Sequence, residues 1–552
     1  MRVTAQPVDT SIAARCRALT AESVAAASEW AAGREWAVGV FVALSSIALA
    51  CAVARSALER TANKAGVEGA QNAAFASFQR SYIAVYVVVM LADWMQGTHM
   101  YTLYTKYQET NASVSVGTLF FSGFMAAGIL GTFTGPFVDK YGRKRACLVY
   151  VALEVTINLL EHLNAMHWLM VGRVLGGIST SLLFSAFEAW MVTEHRARGF
   201  PEPWLSRTFG LCAVVNGATA IVAGIVAQVA ADSLGDIGPF QVAIALTVLA
   251  GLLILPWSEN YGDARSAAKK DDDAPPAEEP GLGAAWRTVR AAPALFAVGV
   301  VYALFEGAMY TFVFNWVPTL ARALGGFGQI QPVQGILFSC LMAAISIGGE
   351  AYNLAVRAHV SPEAIGVAIF GCSCVAMGVP VLCELFGCAL PSAFAVQFAA
   401  FLLFETCVGA FQPCMATLRS KYVPDAQQST VNNLFRFPLN MLVAAGTMLS
   451  DYFDLYVVFA ICAASHLLAT ATQLSLLLRH AQPPPAPTPP AAASSTAKPA
   501  VAKRTAAKPA TSPPPSPKRV AKSPKRAAAS PPPSPKRDAA APPRRRHLPA
   551  TG

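Results

Sequence analysis

The composition of this 552-residue chain sets it apart from soluble proteins, because 54% of its residues are hydrophobic and only 13% are charged. A soluble domain carries roughly 25% charged residues. We therefore predict a membrane protein whose apolar surface is solvated by lipid. The formal charge of +10 does not indicate a nucleic-acid-binding protein, since the segment from His480 to Gly552 alone holds seven Lys, seven Arg and one Asp.

Apolar runs of about 20 residues, the length that crosses a bilayer as a helix, recur along the chain with short polar breaks. They predict one N-terminal span and twelve further spans, at 37–54, 81–104, 115–136, 146–164, 167–191, 208–231, 239–256, 293–316, 333–355, 363–383, 392–413, 429–449 and 454–478. The first run could instead be a signal segment. It starts late and lacks a short basic region directly before it, which favours a retained helix.

The twelve later spans divide six and six around a polar segment that contains Asp271–Asp273. This pattern predicts an all-α membrane protein. Its parts are an N-terminal extension with one transmembrane helix (1–80), an N-terminal six-helix bundle (81–256), a cytoplasmic central loop (257–292), a C-terminal six-helix bundle (293–478) and a disordered tail (479–552). The tail is rich in Pro, Ala, Ser and Lys, a composition that cannot bury enough apolar area to fold.

Basic residues lie in alternate loops, including the central loop and Arg143-Lys144-Arg145. Because cytoplasmic loops carry an excess of Lys and Arg, these loops and the C-terminal tail are predicted to face the cytoplasm. The sequon Asn111-Ala-Ser113 lies in an opposite loop, where Asn111 is a candidate glycosylation site.

Some classes of protein find no support in the residues. Twelve cysteines are scattered, often in apolar runs and without a CxxC pair, so we interpret them as buried apolar residues and predict no metal site. The chain has no phosphate-binding GxxxxGK[ST] loop, no HExxH and no nucleophile elbow. An ATP-driven pump or an enzyme is therefore not expected, and no cofactor is predicted.

The loop after the second of the twelve spans reads Gly135-Pro-Phe-Val-Asp139-Lys-Tyr-Gly142-Arg143-Lys144-Arg145. It resembles GxxxDxxGRK, the signature loop of the major facilitator superfamily, whose fold has two six-helix bundles. Gly142 permits a tight turn, and Asp139 is expected to pair with a cation or a helix dipole and so latch the two halves. The alternative is a simple cytoplasmic anchor.

Ionisable residues within apolar spans are costly and often functional. The candidates for proton coupling or ion pairing are Asp93, Glu188, Glu306 and Glu405. Asp93 and Arg173 could form a structural ion pair, and Glu188 and Glu405 could pair with polar neighbours. In the eleventh span, an arginine flanked by amides offers donors suited to an oxyanion, in a stripe of Asn432, Asn433, Arg436 and Asn440.

Several stretches resemble one branch of the superfamily, the molybdate-anion transporter family, also called the major facilitator superfamily domain-containing protein 5 group. They are Ala92–Gly97, Val171–Gly177, Leu183–Trp190, Leu304–Glu306, Phe312–Trp316 and Asn433–Leu439, and the resemblance covers about residues 78–478. It implies high-affinity uptake of molybdate, with tungstate as a related substrate, across the cell membrane. Arg173 and the stripe around Arg436 would then bind the anion, and an acidic residue would carry a coupling proton.

Two other functions stay open on the sequence. The same fold could carry another anion or an organic solute. It could also be a non-transporting receptor or scaffold that signals through its basic tail.

Overall fold

The computed structural model of the protein describes residues 33–62, 69–130, 134–261, 282–387, 392–423 and 428–481. The predicted tail therefore lies, apart from its first residues, outside the described residues. The same holds for most of the central loop and for some side chains within helices, among them those of Asp139, Asn432, Asn433, Arg436 and Asn440.

The described residues form helices and connecting turns. In chain order the helices are α1 (Glu35–Ala62), α2 (Gly69–Thr110), α3 (Val116–Leu130), α4 (Thr134–Tyr141), α5 (Arg143–Leu160), α6 (Met166–Ala197), α7 (Glu202–Leu234), α8 (Gly238–Ile254), α9 (Leu282–Ala291), α10 (Pro293–Leu324), α11 (Phe327–Ile330), α12 (Gln334–Arg357), α13 (Pro362–Leu385), α14 (Ser392–Tyr422), α15 (Gln428–Tyr452) and α16 (Leu455–Ala481).

The helices pack into the two bundles that the sequence predicts. Helices α2 to α8 pack mainly against one another, and so do α10 and α12 to α16. The all-α fold with an extra N-terminal helix is therefore confirmed. The helices extend beyond the predicted spans, since α2 alone covers 42 residues. The predicted span 115–136 falls on two helices, α3 and α4.

Length and apolarity alone identify fewer spans than the fold does. Within the described residues, nine segments are long and apolar enough to cross a membrane, while α3, α8 and residues 441–450 of α15 are shorter apolar segments. Helix α5 begins with Arg143-Lys144-Arg145 and carries Glu154 at its middle, and these charges lower its mean hydropathy. This chain is a multi-pass membrane protein in which some spans carry charged residues.

Local sequence signals explain several helix ends. Ser361 caps α13 by accepting a hydrogen bond from Ala364 N at 3.3 Å, and Pro362 follows at the first helical position, where its missing N–H costs nothing. Gly325 ends α10 in the left-handed conformation, with φ 94°.

The extra helix α1 starts at the end of the molecule where α2, α7 and α10 finish, which we call the distal end. There Arg34 pairs with Asp232 of α7 at 2.6 Å, and the Trp36 ring lies 5.3 Å from the Phe394 ring of α14. The helix then packs along α12, and its outward face exposes large apolar side chains such as Leu49. Helix α1 thus contacts both bundles.

Candidate functional site

A polar network lies inside the N-terminal bundle, near the middle of its helices. The buried Glu154 of α5 accepts hydrogen bonds from Gln96 Nε2 of α2 at 3.0 Å and from Ser179 Oγ of α6 at 2.5 Å. Each oxygen of this carboxylate therefore accepts a hydrogen bond. The network joins three helices around a carboxylate that has no cation directly bound to it among the described residues.

Asp93 lies beside this network, one helical turn before Gln96 on α2. Asp93 and Gln96 share one face of α2, and Gln96 donates to Glu154, so the Asp93 side chain lies on the side of α2 that faces Glu154. Within the described part of the chain, Asp93 has no hydrogen bond or ion pair. The buried Tyr150 lies one helical turn before Glu154 on α5, and its hydroxyl lacks a hydrogen-bond partner among the described residues.

Arg173 does not pair with Asp93, as one interpretation of the sequence expected. Its Nη2 atom lies 2.7 Å from Glu161 Oε1, and its guanidinium lies 5.7 Å from the centre of the Tyr104 ring. Ser179 of α6 is bonded to Glu154 and therefore lies at the same depth in the bundle. Arg173 lies six residues nearer the distal end on the same helix, a distance of about 9 Å along the helix axis. Because of this separation, Arg173 pairs with Glu161. Among the described residues, Asp93 has no cationic partner.

Two acidic residues with no predicted role, Glu154 and Glu161, organise these networks. Glu154 and Glu161 are seven residues apart on α5, so both face the same side of the helix. Two acidic residues at this spacing within an apolar span were the signal that could have identified them.

The remaining acidic candidates lie apart from one another. Glu306 on α10 is buried and accepts from Gln412 Nε2 at 3.4 Å. Glu405 on α14 is also buried, and within the described residues it has no hydrogen-bond partner. Glu188 on α6 is exposed and electrostatically coupled to Tyr86. The described residues thus do not bring the four acidic candidates together.

The predicted anion-binding stripe lies on α15, which packs between α10 of its own bundle and α3 of the other. Phe435 and Leu442 of this helix contact α10 at Gly299 and Gly307. The side chains of the stripe itself, Asn432, Asn433, Arg436 and Asn440, lie outside the described residues. Their role as anion ligands stays a prediction. The helix that carries them lies at the boundary between the bundles.

The two bundles meet most closely where α7 crosses α12 in the distal half of the molecule. A Cβ atom added at Gly335 would overlap the carbonyl oxygen of Gly224. Gln228 Oε1 accepts from Gly335 N at 2.8 Å, and Ser339 Oγ donates to the oxygen of Ile221 at 2.7 Å. The backbones of the two bundles therefore touch directly at this crossing.

Aromatic rings join the bundles beside this crossing. Tyr101 and Phe120 of the N-terminal bundle lie 5.2 Å and 4.9 Å from Phe314 of α10, measured between ring centres. Phe124 lies 5.5 Å from Tyr310 in the same way. These edge-to-face contacts are favourable pairings of aromatic rings, and together with the α7–α12 crossing they close the distal end.

Comparison with known proteins identifies the family. The family model MFS_5, described as sugar transporters with 12 TM, matches residues 38–409. A protein named Molybdate-anion transporter from Xenopus laevis is 34% identical over 420 residues, which cover 73% of this chain and 87% of that protein. The chain belongs to the molybdate-anion transporter family of the major facilitator superfamily.

Other comparisons agree with this membership. A Molybdate-anion transporter from Danio rerio is 29% identical, with 74% of this chain and 86% of that protein covered. Among solved structures, a D-xylose-proton symporter matches with a TM-score of 0.55 at 11% identity, over 72% of this chain and 97% of that one. The nucleoside transporter NupG matches with a TM-score of 0.53 at 12% identity, over 72% and 99%. At such identities the two structures establish the fold alone.

The superfamily signature loop is bound to the N-terminal bundle in this member of the family. Gly142 has φ 112°, and a Cβ atom there would lie 2.7 Å from the Glu259 carboxylate. That carboxylate accepts from the backbone N–H groups of Lys144 at 2.9 Å and Arg145 at 3.2 Å, at the positive end of the α5 dipole. Arg143 donates to the oxygen of Ala189 at 3.2 Å.

Two members of the predicted gating motif, Gly135 and Asp139, have side-chain positions outside the described residues. The latch between the two halves therefore stays a prediction.

The candidate glycosylation site lies at the distal end, in the turn between α2 and α3. Asn111 Oδ1 accepts from Ser113 Oγ at 2.7 Å, and its Nδ2 donates to the oxygen of Asn164 at 3.1 Å. Glycosylation of Asn111 stays a prediction.

Proposed function

We propose that this chain carries molybdate, or a closely similar tetrahedral oxyanion, across the cell membrane by alternating access of its two bundles. The observation that carries the proposal is the 34% identity to the Xenopus laevis protein named Molybdate-anion transporter, over 87% of its length. High-affinity uptake is part of the same proposal.

Of the two candidate arginines, Arg436 is better placed than Arg173 to supply the positive charge of the anion site. A dianion needs a positive charge and several donors in a cavity of low dielectric. Arg173 is already bound to Glu161 at 2.7 Å, so its charge is largely neutralised before an anion arrives. Arg436 lies in the first half of α15 with Asn432, Asn433 and Asn440 at helical spacing, and we assign the anion to this stripe.

The contacts between the bundles support alternating access. In the orientation that the positive-inside pattern favours, the distal end faces outside and the tail faces the cytoplasm. Contacts such as Gln228 to Gly335 and Tyr101 to Phe314 lie on the distal side. We propose that they form the outer gate, closed in this conformation, and that they separate when the pathway opens outward.

The first experiment measures accumulation of nanomolar molybdate in cells that lack other uptake routes, with and without this chain. We expect accumulation only with the chain, and we expect competition by tungstate, whose size and charge are similar, more than by sulfate. A hexose belongs in the same competition series, because the matching family model is described as sugar transporters. Equal accumulation in both cell lines would contradict the proposal, and inhibition by the hexose alone would favour a sugar as the cargo.

The second experiment tests the anion site with Arg436→Gln. Loss of a charged hydrogen bond costs about 1.5–3 kcal/mol, so the molybdate concentration for half-maximal uptake should rise roughly 10- to 150-fold. Arg357→Gln is the matched control, because Arg357 is an exposed arginine in the last turn of α12. Surface expression is measured for both variants. An unchanged half-maximal concentration in Arg436→Gln would remove this arginine from the site.

A further inference from the structure

The interior of the N-terminal bundle holds more negative than positive charge. Among the described residues, three acidic side chains lie between the middle of this bundle and its distal end, and one of them, Glu161, is bound to Arg173 at 2.7 Å. Within the same described residues, Glu154 receives only the donors Gln96 and Ser179, at 3.0 Å and 2.5 Å. Asp93 receives no donor within the described residues. Two neighbouring carboxylates in a medium of low dielectric strongly resist ionising together.

We propose that Asp93 and Glu154 together bind one proton that crosses the membrane with the anion. The inference rests on the proposed transport of molybdate and names the coupling site for it. Glu154 was not among the residues that the sequence suggested for coupling. The pair lies near the middle of α2 and α5, away from both ends of the bundle.

The hydrogen bonds assign the proton to Asp93. Both oxygens of Glu154 already accept hydrogen bonds, from Gln96 and Ser179, whereas the Asp93 carboxylate has no such donor among the described residues and keeps its oxygens free for a proton. An unpartnered hydroxyl supplies a second, independent observation. Tyr150 is 1% exposed, its hydroxyl lacks a hydrogen-bond partner within the described residues, and it lies one helical turn from Glu154 on α5. This hydroxyl can donate to or accept from the site as the proton arrives and leaves.

The same contacts disfavour a metal cation. Hard cations take oxygen ligands, whereas Glu154 faces the nitrogen of the Gln96 amide. A second hydrogen bond, from the same Nε2 to the oxygen of Ala92 at 3.2 Å, fixes that amide with its nitrogen toward the carboxylate. A metal ion would have to displace both donors of Glu154, whereas a proton on Asp93 displaces nothing.

Other charged groups near the pair are few. Arg173 on α6 acts on Glu154 from a distance, while its own direct partner is Glu161. Helix α8, which packs against both α2 and α5, carries no charged residue. The remaining charged residues on helices that pack against these two, among those described, are Lys140, Glu188, Glu194, Arg196, Glu202, Arg207, Asp232, Glu306, Arg322, Glu350 and Arg357. None of these has a hydrogen bond or an ion pair to Asp93 among the described residues.

The chemistry of one cycle is a binding and a release. In the conformation open to one side, Asp93 takes a proton from water and becomes neutral, and the anion binds elsewhere in the pathway. After the bundles change conformation, the proton returns to water on the other side, and Asp93 is again an anion. No covalent bond forms in the protein apart from this O–H bond.

The test uses the full-length chain reconstituted in liposomes, with the membrane potential held near zero by potassium and valinomycin. Molybdate accumulation is measured at equal pH and with an inward proton gradient of one pH unit. One coupled proton should raise the accumulation up to about tenfold. Asp93→Asn and Glu154→Gln should each bring the ratio of the two measurements close to one. Glu109→Gln, at an exposed acidic residue on the same helix, should keep the ratio of the wild-type protein.

The outcomes separate the two proposals. Absence of molybdate transport by the wild-type protein under all conditions would refute the proposed function. Molybdate transport that ignores the proton gradient, or that follows a sodium gradient instead, would overturn only the coupling site. A gradient response that persists in Asp93→Asn would overturn it as well.

Tyr150→Phe keeps the test decisive if Asp93→Asn does not yield folded protein. This substitution removes only the unpartnered hydroxyl. We expect it to shift the pH of half-maximal uptake by about half a unit or more, corresponding to roughly 0.7 kcal/mol. An unchanged pH profile in Tyr150→Phe would overturn the inference.

Discussion

Arg173 is held inside the N-terminal bundle by neighbours of three kinds. Glu161 Oε1 accepts from it at 2.7 Å, Met100 Sδ at 2.8 Å, and the Tyr104 ring faces its guanidinium. Tyr104 also donates its hydroxyl to the same oxygen of Glu161, at 2.8 Å. A buried arginine with this many partners is fixed in position, which favours a structural role over repeated binding and release of an anion.

Removal of Glu161 should therefore destabilise the protein strongly. Glu161→Ala leaves the Arg173 charge buried and unpaired, which costs about 3–5 kcal/mol. The exposed pair of Arg322 and Glu384, with side chains 57% and 41% exposed, is the matched control, and Glu384→Ala should cost about 0–1 kcal/mol. The thermal unfolding midpoint in detergent measures both. Equal midpoints for the two variants would contradict the structural role, whereas Arg173→Leu added to Glu161→Ala should recover part of the loss.

At the scale of elements, the crossing of α7 and α12 depends on residues without side chains. Gly224 and Gly335 let the two backbones touch, and Gln228 ties them by a hydrogen bond at 2.8 Å. Small residues permit such close approach between membrane helices. The crossing is therefore the contact between the bundles that is most sensitive to added volume.

Gly335→Ala should weaken the closed distal end. Its Cβ atom would overlap the Gly224 carbonyl, so α7 and α12 would have to separate. We expect faster labelling of Tyr101→Cys by a membrane-impermeant thiol reagent applied to the distal side, in a background with the native cysteines replaced. Gly371→Ala is the control, because a Cβ atom at Gly371 on α13 would meet nothing within 4 Å. Identical labelling rates with and without Gly335→Ala would argue against a gate at this crossing.

At the scale of the whole molecule, the last described helix is α16, which ends at Ala481. The described helices of both bundles lie before the segment 482–552, which the sequence predicts to be a disordered cytoplasmic tail. We propose that the transport pathway is built from residues before this segment.

Deletion of residues 482–552 should therefore preserve molybdate uptake to within about twofold of the full chain, since changes away from buried features typically alter stability by less than about 0.5 kcal/mol. A longer deletion, of residues 455–552, removes α16 and should abolish uptake together with surface expression. Uptake and surface expression are measured in the same cells. Loss of uptake by the short deletion at normal surface expression would favour the alternative of a scaffold that acts through its tail.

The sequence by itself determined the features that depend on local composition. Long apolar runs require membrane helices, because lipid offers no hydrogen bonds to a free backbone. The loop from Gly135 to Arg145 and the stretches such as Leu183–Trp190 indicated the family that the comparisons confirm. The positive φ of Gly142 also follows from a turn that only glycine adopts without strain.

The tertiary structure alone decided which charges meet. Asp93, Glu154, Glu161 and Arg173 lie on three helices, and a shift of one helix by a single turn, about 5.4 Å, would exchange their partners. Sequence spacing orders residues along one helix but not between helices, since that register is set by side-chain packing across the bundle. For this physical reason the sequence could name Asp93 and Arg173 as candidates, while only the fold paired Arg173 with Glu161 and left Asp93 beside Glu154.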